Sequence, residues 1–142
     1  MKAPQSTKIW HPEKSVLLDC KIGERCTIHA PVWIGNNVAI GDDCKIQAFS
    51  FIPDGVVLGK NVFIGPSVVF TNDKNPPSDM WMWTVVEDNV SIGANATILP
   101  GIRICKGAVI GAGAVVTKTV PPGVTVYGNP AEIKVYRGRK AA

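Results

Sequence analysis

The sequence predicts an all-β fold, a parallel β-solenoid wound as a triangular prism. Three observations predict it. Every sixth residue from Val16 is apolar, through Ile22, Ile28, Ile34, Ile40, Ile46, Ile52, Leu58, Ile64 and Phe70. A shifted register then runs Val86, Ile92, Ile98, Ile104, Ile110 and Val116. Glycine often follows these residues (Gly23, Gly35, Gly41, Gly59, Gly65, Gly93, Gly111), and a small or β-branched residue stands four places on (Cys26, Val32, Val38, Cys44, Val62, Val68, Ala96, Ala108).

A period of six belongs neither to a helix nor to a plain strand, whose periods are about 3.6 and 2. It belongs to short strands joined by tight turns, with glycine or asparagine where a positive φ is required. One inward aliphatic per six residues makes each strand one wall of a coil. Three walls close a coil of eighteen residues, so each residue stacks on the one eighteen places on. Ile22, Ile40 and Leu58 then form one interior column, and Ile28, Ile46 and Ile64 another. At about 4.8 Å per layer, roughly five coils make a prism about 25 Å tall. Periodicity leaves the hand open, and the general rule for parallel crossovers favours right-handed coiling.

At 142 residues the chain reads as one domain, 1–142, large enough to bury a core without disulfides. Its 14 glycines and 11 prolines are too many for a helical bundle, and 46% apolar content is too much for disorder. Much of the net charge of +4 gathers in a short basic C-terminal tail, Lys134, Arg137, Arg139 and Lys140, read as a solvated tail or as an anion site. No apolar run reaches spanning length and no charged-then-apolar leader opens the chain. The expectation is a cytoplasmic protein with reduced thiols and no membrane or nucleic-acid partner.

Cys20, Cys26 and Cys44 fall on the small-residue beat, and Cys105 sits where glycine often does. Cys26 and Cys44 are eighteen apart, so they are expected as neighbours in one interior column, buried as small hydrophobes. Their spacings match no zinc pattern, and no metal is expected. His11 and His29 are also eighteen apart, which would stack them on one outward column.

After Phe70 the next good repeat begins at Val86, sixteen residues on, which is not a multiple of six. One hexad step plus about ten inserted residues accounts for it, as a loop near 71–85 projecting from a corner. Thr71, Asn72, Asp73, Pro76, Pro77 and Ser78 carry turn chemistry. Met80, Trp81, Met82 and Trp83 follow as a cluster that a monomer does not normally expose. They either fold back on the prism or bury against another subunit, and the flat prism faces favour the subunit interface.

The repeats IGERCT, IGNNVA, IGDDCK, IGANAT and IGAGAV resemble those of the hexapeptide transferases, over about residues 16–131. The resemblance implies a left-handed parallel β-helix, against the general crossover rule. More closely, CKIQAF, FIGPSVVFTND, IGANATILPGI, IGAGAVVTK and GNPA resemble N-acetyltransferases that act on nucleotide-linked 3-amino sugars for bacterial surface polysaccharides. Those act on UDP-linked 2-acetamido-3-amino uronates or dTDP-linked 3-amino-3,6-dideoxyhexoses. What it implies is an acetyl-CoA-dependent enzyme, a homotrimer with active sites between subunits. Asn72 would aim the acceptor amine, with Asp73 as an assisting acceptor or as the fixer of an Asx-turn. Gln47, Lys74 and Asn75 would contact the acceptor. Gly93, Ala94, Gly111 and Ala112 would leave room for the pantetheine arm, with Pro130 beside it and Lys118 and Arg137 as cations for the phosphates. Arg139 is a further cation of that kind.

The chain departs from that pattern at Pro76–Pro77, where many relatives have proline then arginine, and at Ala48–Phe49, where some have two asparagines. No extra N-terminal sugar-nucleotide domain is expected either. Two alternatives stay open: a sugar O-acetyltransferase of the same fold, which would more often use a histidine base, and a non-catalytic binding or scaffold solenoid. A γ-class carbonic-anhydrase-like role needs three histidines where this chain has two. An amino-sugar amine titrates nearer the α-amino range of about 7.7–8.0 than lysine's 10.4. Enough is neutral at pH 7 for orientation to serve in place of a strong base.

Overall fold

The computed structural model describes residues 1–134. Its strands are mostly two residues long and close three parallel sheets, the faces of a left-handed prism. Face 1 stacks Lys8–Ile9, Thr27–Ile28, Lys45–Ile46, Phe63–Ile64, Ser91–Ile92, Val109–Ile110 and Thr125–Tyr127, and the antiparallel Glu132–Lys134 closes it. Face 2 stacks Val16–Leu17, Trp33–Ile34, Phe51–Ile52, Val69–Phe70, Thr97–Ile98 and Val115–Val116. Face 3 stacks Lys21–Ile22, Ala39–Ile40, Val57–Leu58, Val85–Val86 and Arg103–Ile104.

The prism has about seven turns rather than the five counted from the repeat. The count stopped at Val16 and Val116, but both ends continue off the beat. Lys8 pairs with Thr27, nineteen residues away, and Val109 pairs with Thr125, sixteen away. The nineteen-residue step also displaces His11 from the column expected for it. Trp10 takes that place, its ring stacked on His29 at 6.4 Å with Lys8 Nζ 3.6 Å over it. His11 instead starts the 3-10 turn Pro12–Lys14 and meets Glu13 at 3.3 Å.

The inward column residues are buried, with Ile28, Ile34, Ile46, Ile52, Ile64, Ile92, Ile98 and Ile104 fully enclosed. Each such side chain contributes about 1.5–3 kcal/mol by leaving water. Ile22, Ile40 and Leu58 stack as the eighteen-residue rule requires, and so do Ile28, Ile46 and Ile64. Cys20, Cys26 and Cys44 are buried beside them. The Cys26 thiol donates to the Gly41 carbonyl at 3.2 Å and the Cys44 thiol to the Gly59 carbonyl at 3.1 Å, and the neighbouring Cys26 sulfur, with burial, pushes the Cys44 thiol up.

The corners explain the other beats. The glycine after each aliphatic serves close approach: a Cβ at Gly41 would lie 2.4 Å from the Gly59 carbonyl oxygen. Positive φ falls two places later, at Arg25, Asn37, Asp43, Phe49, Asn61, Ser67, Asn89 and Asn95 among others. Asn and Asp one place before that cap the coil below. The backbone N–H of Asp19 donates to Asn36 Oδ1 at 3.0 Å, that of Glu24 to Asp42 Oδ1 at 2.8 Å, and that of Asn36 to Asp54 Oδ1 at 2.8 Å.

Across the interruption the stacking step changes from eighteen to twenty-eight. Val57 pairs with Val85, Phe63 with Ser91 and Val69 with Thr97, so the insertion is ten residues and the ladders close over it unbroken. Thr84 returns the chain to the interior between Val56 and Ile102. It is 1% exposed, and its hydroxyl has no hydrogen-bond partner among the described residues. The other buried hydroxyl, Ser50, lies 3.0 Å from both the Gln47 and Gly65 carbonyl oxygens and donates there.

Candidate active site

The loop leaves the prism at the corner between faces 2 and 3, and Asn72 is its root. By the stacking rule Asn36, Asp54 and Asn72 form one column, eighteen residues apart. Asn72 Nδ2 donates to the Asp54 carbonyl oxygen at 3.2 Å. A carbonyl only accepts, so this contact fixes which end of the amide is nitrogen and leaves Oδ1 as an acceptor. The Asn72 carbonyl accepts from Met82 N–H at 2.7 Å, which pins the return of the loop to its start.

Beyond Asn72 the loop closes on itself. Asp73 bridges Trp81 in antiparallel fashion. The Ser78 N–H and hydroxyl donate to the two Asp73 carboxylate oxygens at 2.6 and 2.7 Å. The Trp81 indole donates to the Ser78 carbonyl at 2.9 Å. The Ser78 hydroxyl above all, with the amides of Ser78 and Asn75, holds the Asp73 carboxyl below the ordinary carboxylate range. Of the apolar cluster, Trp83 lies over Gly55 and Met82 over Gly101, both positive-φ corners where a Cβ would meet those side chains at 2.5 Å. Met80 projects, 82% exposed.

Between the loop and face 2 lies a cleft of about 340 Å³. Trp33, Phe51 and Trp81 are its aromatic walls, and Leu18 and Pro53 complete the apolar part. Trp33 and Phe51 stack on adjacent coils with centroids 6.1 Å apart. The polar lining is Asn36, Asp54 and Asn72, and among the described residues no lysine or arginine contributes. Trp33, Phe51, Asn36 and Asp54 were not expected as site residues, yet the eighteen-residue stacking step from Asn72 reaches Asp54 and Asn36 directly.

The other predicted residues are dispersed. Lys74 and Asn75 are exposed on the loop, outside the cleft lining. Gln47, Gly93, Ala94, Gly111 and Ala112 lie on the corner between faces 1 and 2, across face 2 from Asn72. Lys118 is on the Asn72 corner two coils further along, about 10 Å at the strand spacing. It lines a second concavity of about 420 Å³ at the C-terminal end with Val116, Val120, Ala131 and Ile133. Pro130 sits at that end, after a cis Asn129–Pro130 bond. Arg137 and Arg139 lie outside the described residues. Among the described residues no three His, Cys, Asp or Glu side chains gather to hold a metal, and no helix is long and apolar enough to cross a membrane.

A parallel solenoid of hexads, interrupted once by a cleft-forming loop, defines a class before any comparison is made. Residues 19–52 and 84–118 match the hexapeptide repeat of succinyl-transferase, and residues 37–72 match the bacterial transferase hexapeptide of six repeats. The chain belongs to the hexapeptide-repeat transferase family. The matched segments stop at the root of the loop and resume where Thr84 re-enters the core.

The chain is 48% identical over 75 residues to the 2,3,4,5-tetrahydropyridine-2,6-dicarboxylate N-acetyltransferase of Staphylococcus aureus, a stretch covering 53% of this chain and 30% of that protein. Among solved structures it is similar to the acetyltransferase domain of PglB from Neisseria gonorrhoeae with acetyl coenzyme A (23% identity, TM-score 0.79, 91% of this chain and 58% of that one). It is also similar to PerB from Caulobacter crescentus with CoA and GDP-perosamine (24%, 0.74, 92% and 55%). A hexapeptide-repeat acetyltransferase of Vibrio cholerae with acetyl coenzyme A is 27% identical, with a TM-score of 0.71, over 86% of this chain and 71% of that one. The match thus spans about a third of the curated relative's length and little more than half of PglB and PerB.

Proposed function

We propose that the protein is an acetyl-CoA-dependent N-acetyltransferase acting on the amino group of a nucleotide-linked amino sugar, in the cytoplasm, for surface polysaccharide synthesis. The observation that carries this is the orientation of Asn72. One of its amide N–H groups donates to the Asp54 carbonyl, which sets the amide's direction and leaves its oxygen to accept from an amine N–H in the cleft. Family membership and the acetyl-CoA-bound relatives support the donor.

The reaction balances with the groups at hand. The neutral amine nitrogen attacks the thioester carbonyl, a C–N bond forms, and the C–S bond breaks as the coenzyme A thiolate leaves. The proton lost by the amine is taken up by the thiolate or by water. Asn72 Oδ1 accepts from the amine and directs its lone pair. Orientation of this kind contributes as much as a general base, about 10²–10⁴-fold. Asp73, ionised and committed to Ser78, holds the loop that carries Trp81 over the cleft.

In this reading the donor runs along the Asn72 corner toward Lys118. A homotrimer would set the Gly93, Ala94, Gly111, Ala112 and Gln47 corner of a neighbouring subunit against the loop, completing the groove. Product masses from acetyl-CoA incubated with UDP-, dTDP- and GDP-linked amino sugars test the reading. The expected result is a gain of one acetyl group on one member. Coenzyme A binding with no transfer across the panel would overturn the acceptor assignment, and absence of coenzyme A binding would overturn the transferase.

A further inference from the structure

The cleft has a charge character that the acceptor must match. Its walls are three aromatic rings, its polar groups are two amides and one carboxylate, and among the described residues no cation lines it. The negative faces of such rings pack on the C–H face of a sugar ring or on a cation, and disfavour an anion. At about 340 Å³ the cleft is near the lower bound of roughly 300 Å³ for ligand pockets, room for one ring rather than a whole nucleotide sugar. An anion placed there would lose water, meet no cation among the described residues, and lie beside the Asp54 carboxylate.

The corner cap at position 54 accepts either a carboxylate or an amide: Asp42 and Asp88 cap Glu24 and Lys60 as Asp54 caps Asn36, each at 2.8 Å, but of these carboxylates only Asp54 lines the cleft. Asp54 Oδ1 accepts the Asn36 N–H at 2.8 Å, while one coil below Asn36 makes the same cap to Asp19 with an amide oxygen at 3.0 Å. An asparagine therefore meets the structural need, and the negative charge at Asp54 has a separate consequence. Asp54 also sits beneath the group that aims the amine, since its carbonyl holds Asn72. A carboxylate there opposes an acidic ring by like-charge repulsion.

We infer that the ring seated in this cleft is an uncharged deoxy amino sugar with its apolar face on Trp33, Phe51 and Trp81, and that Asp54 excludes acceptors bearing a C6 carboxylate. The inference rests on the acceptor reading above and narrows it. The diphosphate and base lie outside the cleft, which has room for one ring.

The test uses two acceptors with the same nucleotide and amino position, one with a methyl group at C6 and one with a carboxylate, compared by kcat/KM from product masses. The expected preference for the methyl acceptor is at least tenfold. Asp54→Asn keeps the cap and reduces that preference several-fold, mainly through a lower KM for the uronate. Trp81→Ala raises KM for the methyl acceptor about tenfold with coenzyme A affinity unchanged. Equal or better use of the uronate by the wild-type protein would overturn the inference while leaving the N-acetyltransferase intact. Discrimination unchanged in a folded Asp54→Asn protein would remove Asp54 from it. If neither acceptor is acetylated although coenzyme A binds, the amino-sugar reading falls and the inference falls with it.

Discussion

The coils and the loop obey different rules, although both are held to the same prism. In the coils a residue's environment follows from its place in a period of six, and neighbours eighteen apart repeat one another. Between Asn72 and Thr84, the last and first residues on the stacking columns, nothing repeats, and the contacts are particular: Asp73 with Ser78, Trp81 with Ser78, Trp83 with Gly55, and Asn72 at the root with Asp54 and the Met82 backbone. The scaffold is specified redundantly and the loop residue by residue. Chemistry that depends on one amide's direction belongs in the second kind of region, carried by the rigidity of the first.

Substitutions on the two sides should therefore separate stability from activity. The largest effect on folding is expected from Ile46→Ala, fully enclosed in its column, at about 2–5 kcal/mol. Chemical denaturation measures it, and turnover per folded molecule should be little changed. Asn72→Ala should do the opposite, lowering kcat about 10²-fold, or about 2.7 kcal/mol, with a melting temperature near that of the wild type. A comparable loss of stability would place Asn72 with the scaffold. Thr84→Val removes a buried hydroxyl that has no partner among the described residues and keeps the side-chain shape, so a gain of about 1–2 kcal/mol is expected in the same denaturation experiment.

The smallest effect concerns pH. Asp73 titrates below its ordinary value because Ser78 bonds its charged form. Its contribution to loop order is thus complete above about pH 4 and is lost as pH falls through the lowered value. Trp81 fluorescence, read against a Ser78→Ala protein, should show an acid transition that the variant moves upward. A transition at the same pH in both would detach Asp73 from the loop's order.

Much of this architecture is legible in the sequence because a solenoid core is periodic. The interior columns, the buried Cys26–Cys44 pair and the ten-residue size of the insertion follow from arithmetic on apolar positions. The ends are not legible that way. The steps of nineteen and sixteen residues that add Lys8–Ile9 and Thr125–Tyr127 fall outside the beat, and the first of them replaces His11 by Trp10 beside His29. In the site, turn chemistry and family likeness point to Asn72 and Asp73. The cleft walls were missed because Trp33 and Phe51 face outward, where no hydrophobic pattern demands a reading. The stacking step that pairs Trp33 with Phe51 also carries Asn72 back to Asp54 and Asn36.

The central claim is that the coils are the scaffold and the insertion the functional part, and one deletion tests it directly. Removing residues 74–83 joins Asp73 to Thr84 and restores the six-residue step from Phe70 to Val86, with Asp73 at a corner position like that of Asp43. The account predicts a folded protein that still binds coenzyme A, melts near the wild-type temperature and transfers acetyl groups at least about 10²-fold more slowly. A deletion protein that cannot fold, or one that folds and keeps its activity, would contradict it.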